Sequence, residues 1–146
     1  MTGIIVAAHS DLAAALVRTA RLVVDNDVTL EAVAIEATDS SATYEPRLHE
    51  AIDRANDGSG VLVLTDMFGG TPSNVGMTMH HPGRVELLTG VNLPMLIKAL
   101  QLSARGAELL DIAHQVRVAG QRSITVATEI LSGVPTHGKD RGGDAS

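Results

Sequence analysis

A histidine and an aspartate each close an apolar run, and a Gly-rich turn follows the aspartate. His9 ends Gly3-Ile4-Ile5-Val6-Ala7-Ala8, and Asp66 ends Val61-Leu62-Val63-Leu64-Thr65. Such runs read as buried strands. In open parallel sheets, ligands bind at the carboxyl ends of the strands. A neutral imidazole, with an unperturbed pKa of about 6.5, is a nucleophile near neutral pH. A carboxylate bonded to one ring nitrogen fixes the tautomer and leaves the other nitrogen free to attack. It also balances the positive charge of a phosphorylated ring. The turn Gly69-Gly70-Thr71-Pro72-Ser73-Asn74 offers backbone N–H groups, with the Thr71 and Ser73 hydroxyls, as a cradle for a phosphoryl group. The chemistry these types suggest is phosphoryl transfer.

Each residue has a plainer explanation when taken alone. A lone strand-end histidine more often faces solvent or caps a helix. An aspartate after a strand often caps a turn, and Gly-Gly turns are common connections. Other phosphate motifs are absent. The turn has no Gly-Lys-Ser/Thr, and it lacks the Gly-x-Gly-x-x-Gly spacing of dinucleotide sites. His80-His81 are neighbours on a helix end and point apart, so they make a poor metal pair. No metal or other cofactor is expected. Arg18, Arg21 and Arg47 read as solvated surface.

The elements that would position these residues alternate. Strands are expected at 3–8, 30–36, 61–65 and 84–89. Helices are expected at 11–24, about 43–56, from Thr71 to near His80, about 94–103, and 106–119. Ser10 or Asp11 is the expected N-cap of the first helix. Thr71 is the expected cap of the third, with Pro72 as its first residue. The β-branched stretch Ser123–Thr128 reads as a last strand. This order implies an α/β fold, a doubly wound four-stranded parallel sheet with helices on both faces. It also brings His9, Asp66 and the Gly90-Val91-Asn92 loop to one edge. One domain is expected over residues 1–131, followed by a polar, disordered tail over 132–146.

Composition narrows the class. The 146 residues are 45% hydrophobic and 19% charged, which suits one compact domain. One Phe, one Tyr and no Trp leave no aromatic platform for nucleic acid, and the net charge of −6 argues further against it. Without cysteine there is no disulfide and no thiolate chemistry. No signal peptide and no membrane-length apolar run are apparent, so a cytoplasmic protein without direct membrane insertion is expected.

Three stretches together resemble a known family, the IIA domain of the mannose-class (mannose/fructose/sorbose) phosphoenolpyruvate-dependent sugar phosphotransferase system. They are Ile4–Ser10, Leu64–Asn74 and Thr89–Leu96, in the family's order, and the resemblance spans about residues 3–130. It implies that His9 is phosphorylated and that Asp66 is its hydrogen-bonding partner. It implies that Gly69, Gly70, Thr71 and Ser73 form the active-site loop, and that the loop around Asn92 closes the same edge. It also implies a relay in which the carrier HPr phosphorylates the IIA histidine and a IIB protein takes the group onward. Here the IIB protein is expected to be a separate chain. Finally, it implies a homodimer that exchanges a C-terminal antiparallel strand, for which residues 123–128 are the candidate. Two other readings remain at this point: a regulatory IIA whose phosphorylation state selects its partners, and the phosphotransfer subunit of dihydroxyacetone kinase.

Overall fold

The computed structural model describes residues 1–133. Four strands lie in one sheet: β1 (Gly3–His9), β2 (Leu30–Ile35), β3 (Val61–Thr65) and β4 (Val85–Thr89). Their order is β2-β1-β3-β4, and every pairing is parallel. The first six residues of β1 and all of β3 are buried, as expected of central strands covered on both faces. The six helices are α1 (Leu12–Val23), α2 (Ser41–Ala55), α3 (Thr71–Thr78), α4 (Leu93–Ala104), α5 (Leu109–Arg122) and α6 (Ala127–Leu131).

Strand alternation divides the core between two faces. Ile4, Val6 and Ala8 of β1 pack with Leu62 and Leu64 against α1, α4 and α5. Ile5 and Ala7 pack with Val61 and Val63 against Tyr44, Leu48 and Ile52 of α2 and Val75 of α3. This is the doubly wound arrangement the alternating pattern implies.

Several boundaries differ from the sequence reading. Helix α2 begins at Ser41 because Ser40 and Thr43 cap it reciprocally. Pro46 therefore falls beyond the first turn. Gly70, not Thr71, is the cap of α3, and Thr71 and Pro72 are its first two residues. Asp11 stands at the N-cap of α1, but its side chain makes no capping bond. Gly106, at φ +81°, turns the chain after α4, so α5 starts later than expected and runs to Arg122.

The largest difference is the last expected strand. Residues 123–126 pair with nothing as a strand, and Ala127–Leu131 is a short helix. β-branching supplies strand propensity, but a strand also needs an edge to pair with. The expected tail over 132–146 lies, apart from Ser132 and Gly133, outside the described residues.

Candidate active site

The strand ends bring His9 and Asp66 together. β1 and β3 are neighbours, with Ala7 opposite Thr65, so the next residues of both strands meet at the carboxyl edge. The His9 Nδ1 lies 2.8 Å from Asp66 Oδ2, and the His9 backbone N–H donates to the same oxygen at 3.0 Å. The other carboxylate oxygen accepts from the Met67 backbone N–H at 3.0 Å. Asp66 is thus fixed from three sides. An anionic Asp66 can only accept, so Nδ1 carries the proton and Nε2 keeps its lone pair. The imidazole is 47% exposed while the Asp66 side chain is 11% exposed. The imidazole side of the pair is open and the carboxylate side is sheltered.

Burial by itself pushes the Asp66 carboxyl up. The His9 backbone N–H, the imidazole hydrogen bond and the imidazole charge pull it down more strongly, and it lies below the ordinary carboxylate value. The carboxylate is therefore ionised at neutral pH and available to balance charge on the ring. Immediately after His9, Ser10 adopts φ +53°, an uncommon left-handed conformation for a residue with a side chain. Its N–H bonds to the Ile35 carbonyl at 2.9 Å, which fixes the turn out of β1. The sequence offers Ser10 as a possible N-cap of α1, but the cap position falls to Asp11, and nothing in the serine's type announces a positive φ.

The Gly-rich loop reaches the imidazole. A methyl group added at Gly70 would stand 3.2 Å from His9 Cε1 and 3.7 Å from Nε2. Glycine here lets the loop backbone approach the reactive nitrogen. Gly69 supplies a turn at φ +94°. Thr71, half-buried, begins α3 and therefore sits at the helix N-terminus beside the ring. Ser73 is placed differently from the expectation of a phosphoryl-facing hydroxyl. It is fully buried, accepts from the Gly69 N–H at 2.8 Å and donates to the Gly70 carbonyl at 3.1 Å. Its hydroxyl braces the loop from behind.

The Gly90–Asn92 loop joins the same edge through its backbone. The Val91 N–H donates to the Thr65 carbonyl at 2.9 Å, one residue before Asp66. The Asn92 side chain turns away from the histidine. It caps α4 through the Met95 N–H at 3.0 Å and reaches Ser123 Oγ at 3.3 Å. Three apolar side chains, Leu12, Met67 and Phe68, are exposed on the elements that flank His9. Among the described residues no group of three or more His, Cys, Asp or Glu side chains could hold a metal ion.

An oriented, half-exposed histidine at a parallel-sheet edge, beside a helix N-terminus, defines a phosphoryl-carrier domain. Comparisons with known proteins give that class a family. The family model of EIIA-man, the PTS system fructose IIA component, matches residues 3–117. The chain is 30% identical over 141 residues to the PTS system fructose-specific EIIA component of Bacillus subtilis, covering 96% of each chain. In structure it is similar to the phosphotransferase system component EIIA from Streptococcus agalactiae, with a TM-score of 0.78 at 24% identity over 88% of this chain and 98% of that one. It is likewise similar to the PTS IIA protein associated with the fucose utilization operon of Streptococcus pneumoniae, with a TM-score of 0.74 at 25% identity over 89% and 96%. The chain belongs to the EIIA-man family. It is a phosphotransferase component that carries a phosphoryl group on histidine between HPr and a IIB protein.

Proposed function

We propose that His9 is the histidine that carries the group, through Nε2, and that Asp66 orients it. The observation that carries this reading is the 2.8 Å contact of Nδ1 with Asp66 beside an exposed ring. The Nε2 lone pair attacks the phosphorus of the phosphorylated donor. The new N–P bond forms as the donor's bond to phosphorus breaks, its electron pair returning to the donor. The ring gains positive charge, Nδ1 keeps its proton, and Asp66 balances the charge. Transfer to the acceptor runs the same steps in reverse. The Thr71 end of α3 and the Gly70 N–H face the group in transit, while the Gly69 N–H is held by Ser73. Exposed Leu12, Met67 and Phe68 give HPr and the IIB protein an apolar rim to dock on. No helix among the described residues is long and apolar enough to cross a membrane, which is compatible with a cytoplasmic site of action.

The dimer belongs to the same reading. Ile124, Val126, Ile130 and Leu131 are exposed after α5, and apolar side chains so placed favour a covering partner. A second copy of the chain is that partner, with residues 123–128 extending to pair with the β4 edge across the dimer. Deleting residues 123–146 then converts a dimer to a monomer in analytical ultracentrifugation; an unchanged oligomer rejects the exchange.

The test of the site is incubation with phosphoenolpyruvate, enzyme I and HPr. The reading expects an acid-labile, base-stable phosphoryl adduct on His9. Equal labelling of His9→Ala rejects it.

A further inference from the structure

Two buried hydroxyls on the α2 side of the sheet have no protein partner among the described residues. Tyr44 and Thr65 are both 0% exposed, and neither Tyr44 Oη nor Thr65 Oγ1 makes a hydrogen bond within the described residues. Buried polar groups are rarely left so, and an orphan hydroxyl is a standing cost to the fold. Phenylalanine and valine would fill nearly the same volumes without that cost. The hydroxyls therefore call for a use.

Their placement suggests one. Val61 and Val63 face the α2 side of the sheet, so by alternation Thr65 faces it too. Ile5 and Ala7 face the same side, and so does His9. Tyr44 is on α2, in that same layer. At the level of Thr65, β1 contributes only the methyl of Ala7, its register partner. Burial pushes the Tyr44 phenol up, Arg47 opposes the shift, and the Asp66 and Asp39 charges add to it. The phenol is thus a fixed O–H donor that lies within the field of Asp66. The Arg47 guanidinium stands over the ring, 5.6 Å from its centroid. Thr65 immediately precedes Asp66, and its carbonyl already anchors the Val91 N–H.

We propose that one enclosed water joins the Tyr44 and Thr65 hydroxyls and that both are positioning residues for phosphoryl transfer. A water with two polar partners satisfies both orphans. It ties the end of β3 to α2, so the Asp66 carboxylate cannot drift from the His9 Nδ1. Neither residue touches the phosphoryl group; both act through Asp66. The inference rests on the reading of His9 as the phosphorylated residue.

Three readouts test it. In a high-resolution crystal structure, a water lies within hydrogen-bonding distance of both hydroxyls; its absence overturns the proposal. Tyr44→Phe and Thr65→Val stay folded, yet each slows phosphorylation by HPr by roughly threefold to tenfold, and the double variant is no slower than the worse single one, as for groups sharing one link. Thr65→Ser, which keeps the hydroxyl, restores the rate. Wild-type rates in both single variants, or losses that multiply in the double variant, overturn the shared link. The third readout is an NMR titration of the His9 ring, whose midpoint moves in Tyr44→Phe and Thr65→Val and returns in Thr65→Ser. An unmoved midpoint overturns it. The titration and the water need no phosphorylation, so they judge this inference even if labelling shows that His9 is not the carrier.

Discussion

Two carboxylates at the same end of the sheet are equally sheltered, each with 11% of its side chain exposed, and each faces a nitrogen-bearing side chain that is nearly half exposed. Asp39 faces Arg47 and Asp66 faces His9. The Arg47 guanidinium grips Asp39 with two nitrogens, at 3.0 and 2.9 Å, and also donates to the Ala34 carbonyl at 2.7 Å and the Thr43 carbonyl at 3.2 Å. Nearly all its donors are committed, and its charge does not change at any working pH. This pair covers a carbonyl on the β2 edge and fastens α2 to it. The His9 pair makes one side-chain bond, leaves one ring nitrogen open, and has a partner whose charge can change. The same shelter of the carboxylate accompanies a fully engaged clasp in one case and a half-open ring in the other. The difference lies in what the carboxylate's partner has left over.

That contrast can be broken from either side. The largest expected effect is on rate: Asp66→Asn slows phosphorylation of His9 by about a hundredfold, because the amide stabilises the charged ring poorly and can hold the wrong tautomer. Thermal unfolding should change little. Next comes Gly70→Ala, whose new methyl crowds the ring and slows transfer by about tenfold. Its φ of −87° suits alanine, so the fold is not strained. Arg47→Ala should do the opposite. It lowers the melting temperature by about 2–4 °C, as for a modest loss of stability in a chain of this size, while the initial rate of labelling stays within about twofold of wild type, the range of a surface change. If Arg47→Ala slows transfer as much as Asp66→Asn, the division between clasp and reactive pair is wrong.

The smallest effect is on acid stability. Asp39 is held down first by its Arg47 hydrogen bonds and then by the Glu36 N–H, and Asp66 is also held below its ordinary value. Both fold with depressed pKa values, so the unfolded chain binds more protons in acid. Their contribution is complete above the unfolded value of about 3.9 and is lost as pH falls through the lower folded values. Asp39→Asn should therefore flatten the acid limb of a stability–pH curve below about pH 4, and unchanged curvature there would remove the Asp39 term.

The meeting of His9 and Asp66 was legible in the sequence and the clasp was not. His9 and Asp66 close uninterrupted apolar runs, and parallel pairing of such runs leaves little choice about where their ends meet. Arg47 reads as solvated surface because its partners, Ala34 and Asp39, become neighbours only once α2 folds back on β2. The direction of a small hydroxyl is equally invisible. Ser73 reads as a phosphoryl ligand, yet its hydroxyl bonds to Gly69 and Gly70 of its own loop, and Thr65 reads simply as the end of a strand. The 123–128 segment shows a third limit. Its side chains favour a strand, but pairing is a property of the surroundings, and within one chain the segment pairs with neither edge of the sheet.

The central claim is that Asp66 keeps the proton on Nδ1 so that Nε2 takes the phosphoryl group. It is tested most directly by long-range proton–nitrogen NMR of the nitrogen-15-labelled protein, with and without phosphorylation by HPr. The account predicts that phosphorus coupling appears on His9 Nε2 while Nδ1 stays protonated. Coupling on Nδ1, or on another histidine, would contradict it.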